Sequence, residues 1–512
     1  MNYLLGIDLG TSGTKALLIN ASKGGEVVGS CTKTYPLYTP KPLWAEQEPE
    51  DWWQASVAAV RELIQTSGID PKHIKGIGLS GQMHGSVFLD ADSQVIRPAI
   101  LWCDQRTQAE CDWIMSTVGR DNVVQLISNP VLTGFTAPKI IWLRNHEPQA
   151  YKQVRKVLLP KDYVRFRLTG EFATEVSDAS GTALFNVIKR DWAWEMLDAI
   201  DIPRDWMPRV YESPEVSGRI SAEAAALTGL AVGTPVVGGG GDQAAGAVGN
   251  GIVEPGIISS TVGTSGVVFA FADQPVVDPD LRVHTFCHAV PGKWHVMGVM
   301  LSAGGSLRWY RDTFADAEYS VAKALGVDTY EVLNQEAAKA PAGCEGLIFL
   351  PYLTGERTPY PDPNARGAFF GITLRSDKAH FTRAVLEGVA YGLRDSFSIL
   401  EGMNVPIKQV RASGGGAKSD IWRQIQADII GYDHVTINID EGPALGVALL
   451  AGVGTGIYGS VEEACKSVIK VVKTTRSNSQ AKLTYDKYYQ VYRSLYSSLK
   501  GDFTAVSNIA GV

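Results

Sequence analysis

The sequence predicts an α/β fold made of two related halves, each of which opens with a β-hairpin. The tetrapeptide Gly-Thr-Ser-Gly occurs at 10–13 and again at 263–266, and each copy lies between two apolar, β-branched stretches of strand length. Two ordinary turns could match by chance, but the same flanking pattern at both copies favours a duplicated fold. The chain has 512 residues, more than one core usually covers, so we expect at least two large domains.

The order of predicted elements places the boundary between the halves. Residues 3–39 predict a strand meander, 52–68 an amphipathic helix and 74–82 a buried strand, and the strand pattern restarts after Pro255. We therefore predict an N-terminal domain over 1–250, a hinge over 251–258 and a C-terminal domain over 259–512.

Composition excludes several classes of function. The net charge is −7 and no basic run is present, which argues against nucleic acid as a partner. The N-terminus lacks the pattern of a signal peptide, and no apolar stretch reaches the length of a membrane span. The six cysteines are scattered without metal-binding spacing, as expected for reduced thiols. These features predict a cytoplasmic protein that does not bind membranes.

The first Gly-Thr-Ser-Gly turn suits phosphate oxygens, because its backbone N–H groups and the hydroxyls of Thr11 and Ser12 are not blocked by bulky side chains. Asp8 ends the preceding strand, where a carboxylate can hold Mg²⁺ through water; the alternative is a turn-stabilising role. Lys15 can reach a phosphate, or it can be a solvated strand residue. The chain contains neither a P-loop motif nor a dinucleotide fingerprint.

Asp242 follows four glycines, 238–241, and precedes a predicted helix. Consecutive glycines let a small substrate approach the backbone closely. Asp is also a favoured helix N-cap, but a cap does not require four glycines. We predict that Asp242 is a general base, kept ionised by the helix dipole.

Polar and aromatic side chains follow two neighbouring predicted strands. Gln82, Met83 and His84 come after one strand, and Trp102 and Asp104 after the next. A lone His at such a place is often structural, but several such residues at successive strand ends indicate a ligand cleft for a small polyol. In the second half, glycines 414–416 at a strand-to-helix junction would let a flat adenine lie against the backbone.

These motifs together resemble the FGGY family of carbohydrate kinases, and most closely its xylulokinase branch. The resemblance rests on GIDLGTSGTK, SGQMHG, ILWCDQRT, GFTAPKIIWL, GGGGDQAAGAVG, TVGTSG, LPYLTGERTP, AVLEGVAYGL and GGGAKSD. It implies two actin-like, ribonuclease-H-like ATPase domains with a nucleotide and sugar cleft between them. It assigns the phosphates and Mg²⁺ to Asp8, Thr11, Ser12 and Lys15, the sugar to Met83, His84, Asp104, Asp242 and Gln243, and the nucleotide to Thr264, Gly304, Gly415 and Ser419. The strand-end pattern adds Gln82 and Trp102 to the predicted sugar residues, and the glycine run adds Gly416 to the predicted nucleotide residues.

The resemblance implies ATP-dependent phosphorylation of D-xylulose to D-xylulose 5-phosphate, with Asp242 as the base. Gln243 stands where many xylulokinases have Asn, which leaves the choice among pentuloses less secure. Alternatives are a family member acting on ribulose, gluconate or glycerol, or an actin-like ATPase without a sugar substrate. For the oligomeric state of the protein, a homodimer is one expectation and the sequence does not decide it.

Overall fold

The computed structural model describes residues 1–510. Within them the strands are β1 (Tyr3–Leu9), β2 (Gly13–Asn20), β3 (Glu26–Thr34), β4 (Glu46–Gln47), β5 (Ile74–Gly81), β6 (Val87–Leu89), β7 (Ala99–Ile100), β8 (Lys156–Leu158), β9 (Ala173–Glu175), β10 (Phe185–Asn186), β11 (Asp191–Trp192), β12 (Arg209–Tyr211), β13 (Val216–Arg219), β14 (Pro235–Val237), β15 (Gly240–Gly241), β16 (Gly256–Val262), β17 (Gly266–Ala272), β18 (His284–Cys287), β19 (Trp294–Met300), β20 (Ile348–Leu350), β21 (Ala368–Phe370), β22 (Ile407–Ser413), β23 (His434–Ile437) and β24 (Val471–Thr475).

The helices of the same residues are α1 (Pro49–Ser67), α2 (Gln108–Val118), α3 (Arg120–Ile127), α4 (Thr136–His146), α5 (Pro148–Gln153), α6 (Pro160–Thr169), α7 (Val176–Ala179), α8 (Trp194–Ala199), α9 (Ala222–Thr228), α10 (Asp242–Gly249), α11 (Gly304–Phe314), α12 (Asp316–Leu325), α13 (Thr329–Ala337), α14 (Lys378–Gly402), α15 (Asp420–Ile430), α16 (Gly442–Gly454), α17 (Val461–Val468) and α18 (Ser479–Ala510). In the described part of the chain, no helix is both long and apolar enough to cross a membrane.

Two large mixed sheets repeat one arrangement, as the duplicated motif predicts. The first has the order β13-β14-β5-β1-β2-β3, and the second has the order β18-β19-β17-β16-β22-β23-β24. In the first, β1 is antiparallel to β2 and parallel to β5; in the second, β16 is antiparallel to β17 and parallel to β22. Both Gly-Thr-Ser-Gly segments are hairpin turns. The predicted α/β fold with two related domains is confirmed.

The long strand β1 is almost entirely buried because helices cover both faces of its sheet. On one face α1 begins at Pro49, buries Trp52 and Trp53, and ends at Gly68, whose φ of 65° suits glycine. The sequence periodicity of 52–68 predicts this helix correctly.

The other face of the first sheet is covered by α16, a helix from the second half of the chain. Glycines allow this close approach: a Cβ at Gly6 would lie 1.9 Å from the Ala444 carbonyl oxygen, and one at Gly78 would lie 2.1 Å from that of Val447. On α16 itself, a Cβ at Gly446 would lie 1.8 Å from the Ala245 carbonyl oxygen of α10. The helices α10 and α16 therefore cross in close contact between the two sheets.

The long connection between β5 and β14 packs against the edge of the second sheet. The Asn129 side chain bonds both backbone groups of Thr285 in β18, donating to the carbonyl at 2.7 Å and accepting from the N–H at 3.1 Å. The Ser180 hydroxyl accepts from the Cys287 N–H at 3.1 Å. Side chains of the first half thus bond directly to the edge strand of the second sheet.

Candidate active site

The first turn, between β1 and β2, is held in a shape that leaves donors free. The Gly10 N–H donates to the Gly13 carbonyl at 3.0 Å, whereas the N–H groups of Thr11 and Ser12 have no acceptor within residues 1–510. The Trp102 indole donates to the Thr11 hydroxyl at 3.0 Å. The structure therefore places Trp102 beside the first Gly-Thr-Ser-Gly turn, although the sequence predicts it among the sugar-binding residues.

The second turn, between β16 and β17, has the same sequence, but its closing bond spans one residue fewer. The Gly263 N–H donates to the Ser265 carbonyl at 3.0 Å, and the Gly304 N–H at the start of α11 donates to the Gly263 carbonyl at 2.8 Å. A Cβ at Gly304 would lie 2.4 Å from the Gly263 carbonyl oxygen, so this contact requires glycine. The N-terminus of α11 and the Thr264 turn form one unit suited to anions.

A cavity of about 460 Å³ opens beside the second turn. Its lining contains the five residues predicted for the nucleotide, Thr264, Gly304, Gly415, Gly416 and Ser419. It also contains residues that the sequence analysis missed, among them Arg308, Asp328, Tyr330, Asn334, Lys418 and Trp422. Most of these additional residues lie in or next to α11, α13 and α15, and the sequence of these helices contains no motif that predicts a binding site.

Glycine and a helix cap shape one wall of this cavity. A Cβ at Gly416 would lie 2.6 Å from Val262 side-chain carbons, so the loop can lie flat on the sheet only with glycine. Ser419 is the N-cap of α15: its hydroxyl accepts from the Trp422 N–H at 3.2 Å and donates to Asn334 Oδ1 at 2.9 Å. The Ser419 hydroxyl is thus fixed by internal partners.

Asp8 lies at the cleft end of β1, opposite Lys15 in the hairpin register. Its Oδ1 atom is buried and has no hydrogen-bond partner within residues 1–510. Burial raises the pKa of Asp8 to about 6, against the lowering effects of Ser80 and Lys15. Mg²⁺ is commonly held by one or two carboxylates together with substrate phosphates, and a buried carboxylate oxygen without a partner beside the first Gly-Thr-Ser-Gly turn fits that donor set.

The Lys15 ammonium forms an ion pair with the Glu441 carboxylate, which immediately precedes α16. The two residues belong to different halves of the chain. Lys15 is therefore not a freely solvated strand residue, and the pair links β2, just after the first Gly-Thr-Ser-Gly turn, to the N-terminus of α16.

Asp242 is the first residue of α10, and Gly241 occupies the N-cap position. Burial and the nearby charge of Asp8 raise the pKa of Asp242 to about 7, although hydrogen bonds from Gln243 lower it. The sequence predicts that the helix dipole keeps this carboxylate ionised, whereas burial acts in the opposite direction and raises its pKa. A carboxyl group that titrates near neutral pH is well matched to general base catalysis.

The glycine segment before Asp242 is fixed in position by its neighbours. Gly239 has a φ of 73°, and a Cβ there would lie 1.9 Å from the Leu79 carbonyl oxygen. The Gly241 N–H donates to the Ser177 hydroxyl at 3.1 Å, and the Arg165 guanidinium donates to the Gly238 carbonyl. Only glycine permits this path of the chain.

Beneath that segment is a cluster of five fully buried charged residues, which we call the ion cluster: Lys161, Asp162, Arg165, Glu175 and Asp178. The Lys161 ammonium lies 2.8 Å from both Asp162 Oδ1 and Asp178 Oδ2, and Arg165 Nη1 lies 2.7 Å from Asp162 Oδ1. Burial raises the pKa of Asp178 to about 8, despite the charge of Lys161. The cluster holds three carboxyl groups and two cationic side chains, so its net charge is zero when one carboxyl group keeps its proton.

Met83 and His84 lie on the other side of Asp242. A Cβ at Gly241 would lie 3.0 Å from the Met83 sulfur. The His84 ring lies 2.6 Å by Nδ1 from the Gly181 carbonyl and stacks on Phe135 with centroids 4.7 Å apart. Burial holds the pKa of His84 well below its usual range, so the ring is neutral: Nδ1 donates to the Gly181 carbonyl, which leaves Nε2 as the acceptor nitrogen.

The remaining predicted sugar residues have different surroundings. Gln82 is buried and donates to Gln47 Oε1 at 2.8 Å, whereas its own Oε1 has no partner in the described chain. Gln243 lines, with Asp242, a second cavity of about 220 Å³ between α10 and the second sheet.

Asp104 is not brought to this side of the cleft as a free ligand. It is completely buried, accepts from the Ala45 N–H at 2.7 Å and forms an ion pair with Arg106 at 2.7 Å. The carboxylate oxygens of Asp104 are therefore bound by groups inside the protein, and their contacts hold the segments around Ala45 and Arg106 together.

Comparison with known proteins agrees with this architecture. The chain matches the family models "FGGY family of carbohydrate kinases, N-terminal domain" over 3–249 and "C-terminal domain" over 258–455. It is 43% identical over 497 residues to a xylulose kinase of Escherichia coli, covering 97% of this chain and 99% of that protein. It is 33% identical to a gluconokinase of Bacillus subtilis, covering 99% and 98%. The ligand-bound xylulose kinase structure from Lactobacillus acidophilus superposes with a TM-score of 0.92 at 29% identity, covering 99% of this chain and all of that one. The chain therefore belongs to the FGGY family of carbohydrate kinases.

Proposed function

We propose that this sugar kinase transfers the γ-phosphate of ATP to the C5 hydroxyl of D-xylulose, with Asp242 as the general base. The observation that carries the proposal is the position of Asp242. Its carboxyl group lies close enough to Asp8 for that charge to raise its pKa, and it follows Gly241, against which Met83 packs. The similarity to the xylulose kinase of Escherichia coli, 43% identical over nearly the full length, supports this choice of sugar.

The substrates occupy two sides of the cleft in this proposal. The adenine of ATP lies in the cavity beside Gly415, and its phosphates extend between the turns at Thr11 and Thr264. The ketose lies along Met83, His84 and Gln243 with C5 towards Asp242. The neutral His84 ring accepts a hydrogen bond from a sugar hydroxyl at Nε2, and the Gln243 amide can donate to or accept from another.

The chemical step needs a proton acceptor and a pocket for the transferred charge. The C5 oxygen attacks the γ-phosphorus while Asp242 accepts the hydroxyl proton, and the bond from the γ-phosphorus to the bridging oxygen breaks to leave ADP. Free N–H groups at Thr11 and Ser12 stabilise charge on the transferring group. Asp8 would hold Mg²⁺ through water, and the ion would supply neutralisation of phosphate charge.

Gluconate is the second candidate substrate, because a gluconokinase is 33% identical over almost the whole chain. A coupled assay of ADP production with D-xylulose, D-ribulose, D-gluconate and glycerol separates the candidates. We expect the highest kcat/KM for D-xylulose. Faster phosphorylation of gluconate or glycerol would reject the choice of sugar while leaving the kinase family intact.

A further inference from the structure

Three successive carbonyl groups of the first Gly-Thr-Ser-Gly turn, those of Gly10, Thr11 and Ser12, accept hydrogen bonds from elsewhere in the first domain. The Tyr35 hydroxyl donates to the Gly10 carbonyl at 2.5 Å, and the Tyr35 N–H donates to the Ser12 carbonyl at 3.4 Å. The Gln47 side-chain amide donates to the Thr11 carbonyl at 2.7 Å. Two side chains outside the turn therefore hold its carbonyl side.

These carbonyl bonds also fix the direction of the N–H groups in the turn. In a planar trans peptide, the C=O of one residue and the N–H of the next point in opposite directions. The Thr11 N–H shares its peptide unit with the carbonyl that Tyr35 binds, and the Ser12 N–H shares its unit with the carbonyl that Gln47 binds. Both N–H groups therefore face away from Tyr35 and Gln47, and they are the two that have no acceptor within residues 1–510.

The Gln47 side chain can take up this role because its amide has only one possible orientation. It is completely buried and makes all four hydrogen bonds open to an amide. Its Nε2 donates to the carbonyls of Thr11 at 2.7 Å and Pro36 at 3.1 Å, which can only accept. Its Oε1 accepts from the Trp52 indole at 3.0 Å, which can only donate, and from the Gln82 amide at 2.8 Å. A rotation of the amide by half a turn would break these bonds, so the support of Thr11 is rigid.

The second Gly-Thr-Ser-Gly turn holds the same two carbonyl groups by different means. The Gly263 carbonyl accepts from the Gly304 N–H at 2.8 Å, and the Thr264 carbonyl accepts from the N–H groups of Ala303 at 2.9 Å and Gly305 at 3.0 Å. All three donors are backbone groups at the start of α11. Both halves of the duplicated fold thus fix the first two carbonyls of the tetrapeptide, but only in the first half do side chains supply the donors, and side chains can be replaced.

We propose that Tyr35 and Gln47 are positioning residues for phosphoryl transfer, which hold the N–H groups of Thr11 and Ser12 in the direction of the γ-phosphate of ATP. This inference rests on the proposed function, in which those N–H groups stabilise charge on the transferring group. Donors that are already oriented need no rearrangement as charge develops. The loss of either support should therefore slow the transfer step itself more than it weakens binding of the sugar.

The test replaces each support and separates kcat from KM. Tyr35→Phe keeps the ring and removes one hydroxyl, and Gln47→Met keeps the length of the side chain and removes the amide. Each should lower kcat by about 10-fold or more, whereas the KM for the sugar should stay within about 2-fold of the wild type. Tyr38→Phe and Gln54→Met are the matched controls and should behave like the wild type, because the Tyr38 hydroxyl reaches only the exposed Asp51 carboxylate at 3.5 Å and Gln54 lies on the exposed side of α1.

Calorimetric binding of two nucleotides separates positioning from a general disturbance of the fold. In both variants, affinity for the β,γ-imido analogue of ATP should fall by about 3-fold or more, whereas affinity for ADP, which lacks the γ-phosphate, should stay close to that of the wild type.

Wild-type kcat in both variants would overturn the inference, and so would equal losses of affinity for ADP and for the analogue. Because kcat is measured with the best sugar of the panel described above, a wrong choice of sugar leaves this test intact. Absence of phosphoryl transfer by the wild type to any sugar of the panel would instead reject the proposed function, and the phosphate role of the turn with it.

Discussion

The carboxyl groups of Asp8 and Asp242 come from opposite ends of the first domain, yet they share one electrostatic environment in the cleft. The charge of Asp8 is the second cause, after burial, that raises the pKa of Asp242 to about 7. A carboxylate suited to Mg²⁺ therefore also tunes the proposed base. Binding of a cation at Asp8 would offset this repulsion and favour the ionised form of Asp242.

Replacement of Asp242 tests the role of the base directly. Asp242→Asn keeps the shape and the start of α10 but cannot accept the proton, so kcat should fall by about 10²–10⁴-fold. Binding of an ATP analogue, measured by calorimetry, should stay within about 2-fold, since the nucleotide cavity is formed elsewhere. Near-normal turnover would show that Asp242 has only a structural role at the helix start.

On the acid side of the pH profile, kcat/KM should follow the ionisation of the Asp242 carboxyl group. Because the base must be ionised, activity should rise with pH through about 7 in the nucleotide-free enzyme. Asp8→Asn removes the neighbouring negative charge, so this limb should move to lower pH even though overall activity is reduced. An unchanged midpoint in the Asp8→Asn profile would contradict coupling between the two carboxyl groups.

The free energy of unfolding should also depend on the ionisation of Asp242, but it should fall as the pH rises, whereas the activity should rise. The pKa of Asp242 is raised in the folded state from 3.8 to about 7, so its contribution to stability is complete below pH ~4 and is lost as the pH rises through about 7. Asp242→Asn should therefore melt at a higher temperature than the wild type at pH 8, and the difference should shrink towards pH 5. Thermal melts at both pH values check this, and a difference that grows as the pH falls would contradict it.

The ion cluster beneath the glycine segment should be required for folding of the first domain. Lys161→Met leaves Asp162 and Asp178 buried without their cation, which should cost about 3–5 kcal/mol. Lys189→Met is the matched control, since Lys189 and Glu195 form an exposed pair at 3.6 Å, and should cost about 0–1 kcal/mol. Urea unfolding followed by fluorescence compares the two, and equal losses would show that the cluster is not specially coupled to the fold.

His84→Ala should weaken recognition of the sugar more than binding of the nucleotide. Loss of one hydrogen bond to a hydroxyl costs about 1–3 kcal/mol, or a factor of about 5–150 in kcat/KM for D-xylulose. The KM for ATP should change little, because the phosphate turns and the nucleotide cavity do not include His84. Equal effects on both KM values would indicate that the stacking of His84 on Phe135 is its main role.

The local sequence determined the elements that carry the chemistry. Both Gly-Thr-Ser-Gly hairpins and the glycine approach to Asp242 are encoded within a few residues, because a turn or a positive φ depends on the side chains at that position. The residues predicted for the nucleotide accordingly line one cavity in the structure.

Tertiary structure alone decided which distant groups meet. The Lys15–Glu441 pair and the Asp8–Asp242 coupling join residues hundreds of positions apart, and no local pattern contains them. The same holds for Asp104, which the strand-end pattern assigns to the ligand but whose oxygens bind Ala45 and Arg106. It holds too for the pKa of Asp242, because desolvation depends on everything packed around a carboxyl group, whereas the helix dipole that the sequence predicts acts only from one side.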